Sequence, residues 1–147
     1  MRLLIFLFAG LVAFAPAFGQ TREYAVGQVW AYQTAPGDEA SLIKIQEVDT
    51  VGPKDQMEVF HISMIGLEVP WQDGPLVIQH LPVSRETLDA SVTVQVESTA
   101  VFPDYREGRA VWEEANGGVF TITLAEIADF LRDQFRPPTE ATKQKGG

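Results

Sequence analysis

The chain predicts an α+β domain: an antiparallel sheet of about five strands with two or three helices packed on one face. Three observations carry this expectation. Three strand-like runs follow one another across short turns in the first half of the chain. Two later segments begin with the side chains that cap helices. Strands come first and helices follow, with one late strand, and the layer rules assign that order to α+β folds.

The first run, residues 26–34, holds Val29-Trp30-Ala31-Tyr32 and stops at the turn cluster Ala35-Pro36-Gly37-Asp38. The second, 41–48, interleaves Leu42, Ile43, Ile45 and Val48 with Lys44, Gln46 and Glu47, and Gly52-Pro53 turns the chain after it. The third, 57–65, alternates strictly, with Phe60, Ile62 and Met64 on one face and Val59, His61 and Ser63 on the other. A loop at 66–75 carries Trp71, Asp73 and Gly74, and a fourth strand at 76–81 ends before Pro82, which has no N–H for a ladder.

Ser84 is placed to cap a helix, with Glu86 in its first turn where the dipole favours acid, so a helix is expected over about 85–95. From Ser91 onward the segment also alternates like a strand, and this second reading stays open. Pro103 suits a helix start. The turns to Glu114 would line up Tyr105, Arg109 and Trp112 before Asn116-Gly117-Gly118 ends them. A short strand is expected over 119–123. Thr123 and Glu126 then match a capping box ahead of Ile127, Phe130, Leu131 and Phe135 at helical spacing.

The chain begins like an export signal. Arg2 precedes an apolar run over residues 3–14, and Ala17 and Gly19 hold the small-residue positions that signal peptidase selects. The expected organisation is a signal peptide at 1–19, one α+β domain at 20–136 and a polar, loose tail at 137–147. Export would place the protein in the periplasm or outside the cell, with no membrane anchor after cleavage. The chain has no Cys, which excludes both a lipidated cysteine and disulfide staples.

Formal charge is −9, and −10 once Arg2 is removed. Such acidity argues against nucleic acid, which is bound through clustered basic residues, and suits a protein partner with a basic surface. The Gly27-Gln28-Val29-Trp30-Ala31-Tyr32-Gln33-Thr34 opening and the late Gly118-Val119-Phe120-Thr121-Ile122-Thr123 stretch resemble small bacterial exported proteins. The resemblance implies a bacterial origin and no activity.

His61 and His80 are the only histidines. If the third and fourth strands pair, both imidazoles would share a sheet face, and Glu68 or Asp73 would supply an acid for a metal-dependent or histidine-dependent hydrolase. Their spacing matches no metal signature, so no metal or other cofactor is expected. His80 with Ser84 would make a base and nucleophile, but Val83 and Arg85 stand where a serine elbow has glycines, and capping already explains the serine. Asp104, Glu107, Glu113 and Glu114 read as a solvated helix face partly neutralised by Arg106 and Arg109. Trp30 and Trp112 sit among apolar neighbours, as core residues do, while Trp71 lies in a loop and suits recognition. The leading expectation is therefore a non-catalytic binding or interaction module. Its site would be the outer sheet face around Val59, His61 and Ser63, with His80, Trp71 and Asp73 beside it, and no residue is assigned a catalytic role.

Overall fold

The structure is a computed structural model and describes residues 21–138. The expected signal segment and nearly all of the expected tail lie outside the described residues. A five-stranded antiparallel sheet runs in the order β4-β3-β2-β1-β5, with three α-helices, so the α+β architecture is as expected. The strands are β1 (Val29–Tyr32), β2 (Leu42–Val51), β3 (Met57–Leu67), β4 (Leu76–Val83) and β5 (Val92–Val96). The helices are α1 (Arg85–Ser91), α2 (Arg106–Glu114) and α3 (Leu124–Phe135). No helix among the described residues is long and apolar enough to cross a membrane.

Four elements differ from expectation. Strand β4 continues through Pro82 to Val83, and α2 begins at Arg106 rather than at Pro103. The first helix stops at Ser91, and residues 92–96 form β5 rather than its last turn. Val92, Val94 and Val96 are β-branched, and β1 offers them an unpaired edge, so tertiary pairing outweighs the weak helical continuation. The late strand expected over 119–123 is reduced to one bridge, Phe120 to Val83. Its backbone is held instead at the end of β4, where Phe120 N donates to Pro82 O and Ser84 N to Phe120 O.

The core lies between one sheet face and two helices. Phe60, Ile62 and Met64 of β3, with Ile43 and Ile45 of β2, pack against Leu88 of α1 and Leu124 and Ile127 of α3, all fully buried. Both helices begin as the sequence indicates: Ser84 Oγ accepts from Thr87 N, and Thr123 and Glu126 close a capping box. Arg132 fastens α3 to the sheet through Asp38, whose side chain is 3% exposed, at 2.6 Å. The remaining helix, α2, covers the opposite face.

What that opposite face displays is decided by two of the three pairing irregularities along β3, one on its β2 side and one on its β4 side. On the β2 side the register passes from Ile45–Ile62 directly to Glu47–His61, leaving Gln46 as an extra residue. A strict alternation from Ile43 and Ile45 would send Glu47 into the core, and the bulge turns it, with Asp49 two residues on, toward α2. On the β4 side the register passes from Ile62–Leu81 to Met64–Ile78, so Gln79 and His80 together oppose Ser63. This slip keeps Ile78 and Leu81 both in the core and places His80 on the face of His61. Ser63 ties the two bulges together: its Oγ donates to Gln79 O at 2.6 Å and accepts from Gln46 Nε2 at 3.1 Å.

Candidate functional site

The site lies between α2 and the face so displayed. His61, on the central strand of the β2–β3–β4 meander, is 0% exposed. Its Nδ1 is 2.8 Å from Nε2 of His80, the rings lying nearly parallel with centroids 5.1 Å apart. The expectation that the two histidines converge if β3 and β4 pair is therefore met. Trp112 of α2 stands edge-on over both, with centroids 5.0 and 6.1 Å away.

Helix α2 can come this close because of Gly108, and its Trp112 ring can lie as it does because of Gly117. A Cβ on Gly108 would lie 2.7 Å from His80 Cβ, and a Cβ on Gly117 would run into the Trp112 ring. The helix ends as expected, with Asn116 in the left-handed region (φ 48°) and Gly117 N donating to Trp112 O. Trp112 Nε1 then donates to Gly118 O at 2.9 Å, which fixes the indole over the histidines.

The acids at the site are not the expected ones. Glu68 and Asp73 are exposed in other parts of the fold, and Glu47 and Asp49 of β2 take their place. One arginine holds both. Arg109, 14% exposed in its side chain, reaches Asp49 at 2.9 Å, Glu113 at 3.1 Å and Glu47 at 3.4 Å, and stacks on Trp112 at 5.1 Å. Tyr105 donates its hydroxyl to the second oxygen of Glu47 at 3.0 Å. The stripe of Tyr105, Arg109 and Trp112 is thus the face of α2 that meets the sheet.

The remaining expected site residues are dispersed. Ser63 is fully buried and serves the bulges. Val59, His61 and Ser63 lie on the face that α2 covers, so the open sheet face expected around them is closed. Trp71 is half-buried and packs on the edge of the core, and Asp73 is exposed in its loop. Ser84 is engaged as the α1 cap.

Both imidazoles are kept from protonating. Burial is the main cause for each, and Arg109 adds to it. Glu47, Asp49 and Glu113 oppose the effect at His61, as Glu47 does at His80, without cancelling it. At His80 the nearby His61 adds a further penalty, and its pKa falls from 6.5 to about 4. Between these values the unfolded chain takes up a proton that the folded chain refuses, so stability is lost as pH falls. Thermal unfolding at pH 7 and pH 5 should differ by about 1–2 kcal/mol from this source, partial solvent access being discounted. A protein with leucine at both positions should lose most of that difference. An equally steep dependence in that variant would place the titration elsewhere.

A cavity of about 390 Å³ opens on one flank of α2, lined by Asp49, Arg109, Trp112 and Glu113 among others. A groove of about 530 Å³ opens on the other, with His80, Gly108, Val111 and Phe135 in its wall. The histidine pair sits beneath the helix between them. Comparison with known protein families, curated proteins and solved structures finds no match.

Proposed function

We propose that this chain is an exported, non-catalytic binding module whose ligand site is the histidine–carboxylate cluster beneath α2. The observation that supports it is the histidine pair itself: two neutral rings joined by one hydrogen bond under a helix lid, with an opening on each flank. A buried polar pair contributes little net stability compared with apolar side chains of similar size, so its presence favours a site over a structural fastening. The hydroxyls support binding over hydrolysis. Ser63 and Ser84, the serines once eligible as nucleophiles or contacts, are both committed to backbone architecture. Export rests on the leader-like N-terminal residues, and the acidic charge suits a basic partner elsewhere on the surface.

The test is the paired substitution His61→Leu with His80→Leu. Removing both partners leaves no orphan, so the melting temperature should hold or rise, a gain of 1 kcal/mol being worth about 4 °C. His61→Ala alone should cost about 2–3 kcal/mol, from the cavity and the stranded His80 nitrogen. A steep loss in the paired variant would make the histidines structural. Turnover of a nitrophenyl ester or phosphate by the wild type, absent in His61→Gln, would replace the binding reading with the hydrolase one.

A further inference from the structure

The ligand set in this cluster is more specific than its position alone. Ligand-capable atoms of Glu47, Asp49 and His61 all lie within 4.8 Å of one another. His61 is 0% exposed, and its Nε2 is buried with no hydrogen-bond partner, the one such side-chain atom among the described residues. Its other nitrogen, Nδ1, is engaged by His80.

The hydrogen bond between the rings has two possible directions, and each leaves a different orphan. If His80 donates, His61 must carry its proton on Nε2, buried with nothing to accept it. If His61 donates from Nδ1, its Nε2 presents a bare lone pair, buried and without a donor, on a ring that shares its cluster with two carboxylates. The second arrangement is how a ligating histidine is ordinarily held, with its far N–H fixed by an outer acceptor. His80 is then a positioning residue for His61.

We propose that Glu47, Asp49 and His61 form a binding site for a divalent transition-metal ion of the zinc class, occupied in the metal-free protein by the guanidinium of Arg109. This rests on the binding-module reading and names its ligand. One imidazole and two carboxylates make a nitrogen–oxygen donor set suited to zinc and its neighbours rather than to calcium, which takes oxygen alone. Two anions facing each other need a cation between them, and Arg109 supplies it at 2.9 and 3.4 Å. A metal ion would do the same and would also take the lone pair of His61 Nε2, which Arg109, its hydrogen bonds directed to three carboxylates, leaves without a partner. The cavity lined by Asp49, Arg109, Trp112 and Glu113 gives the ion a way in. Arg109 would swing to Glu113, already a partner at 3.1 Å.

Calorimetric titration of the chelator-stripped protein with zinc chloride tests this. One equivalent should bind, and His61→Gln and Glu47→Gln should each weaken binding at least tenfold. Arg109→Gln should tighten it, because the competing cation is gone. Circular dichroism of each variant confirms that it is folded, and ring-nitrogen NMR adds a readout within the wild type: Nε2 of His61 should shift on zinc addition while its Nδ1 proton persists. Absence of binding in both the wild type and Arg109→Gln overturns the proposal, as does undiminished binding in His61→Gln. The two readings fail separately. No zinc uptake with a stable paired leucine variant removes the metal and keeps a binding site, whereas no zinc uptake together with collapse of that variant removes both.

Discussion

Arg132→Ala is expected to destabilise the domain by about 3–5 kcal/mol, the range for stranding one member of a buried ion pair. The cost falls on the partner. Asp38 is 3% exposed in its side chain and sits in the connection between β1 and β2, where Oδ2 accepts from Arg132 Nη2 at 2.6 Å and Oδ1 from Glu68 N at 3.0 Å. Arg132 also donates to Glu68 O, so one guanidinium fastens α3 to two separate connections of the sheet. Without it, a carboxylate is left in an enclosed site with one amide to support it. Urea unfolding measures the loss, and Arg132→Met combined with Asp38→Asn should recover a large part of it. A change below 0.5 kcal/mol in the single variant, the scale of an ordinary surface substitution, would show the pair to be dispensable.

Gly108→Val should damage the site as much as truncating His61 does, costing about 2–3 kcal/mol through overpacking and β-branching. The first added carbon would stand 2.7 Å from Cβ of His80, closer than two carbons approach without moving. His80 cannot yield readily, since its ring is held by His61 and lies under Trp112. The helix must therefore lift. Lifting draws Trp112 away from the rings, so tryptophan emission should shift to the red as stability falls, and any ligand held beneath α2 should bind more weakly. An unchanged emission spectrum with unchanged stability would mean that α2 is not seated on His80 as described.

The alternation of residues 57–65 is enough to sort Phe60, Ile62 and Met64 from Val59, His61 and Ser63, because over those residues β3 is regular and its neighbours carry the bulges. Its neighbours were harder to read. A period of two shows that Ile43 and Ile45 share a face, but it cannot say that Gln46 is the residue at which the count slips. The same slip at Gln79 and His80 leaves its mark in the sequence as apolar positions 76 and 78 giving way to 81 and 83. Proximity in sequence points to Glu68 and Asp73 as the acids, whereas a sheet brings together residues from adjacent strands. Glu47 is the direct cross-strand partner of His61. The polar positions of β2 were the available signal. Trp112 read as core because an aromatic on an amphipathic helix usually is, and here its neighbours prove to be histidines. The fifth strand shows in the alternation of residues 92–96, where it competes with the continuation of a capped helix that ends at Ser91, immediately before it.

The pairing order of the sheet has a consequence for how the chain assembles. Strands β1 to β4 each lie beside their neighbour in sequence, so those hairpins close short loops and are reached early, while β5 must return across some sixty residues to find β1. Glu47, His61 and His80 all belong to the early part, and α2 is made after β5. The acidic and imidazole groups are thus brought together on a bare sheet before the helix that encloses them exists, leaving a nascent chain whose polar cluster is open to water, and to whatever it recruits, until the last third of the protein has docked.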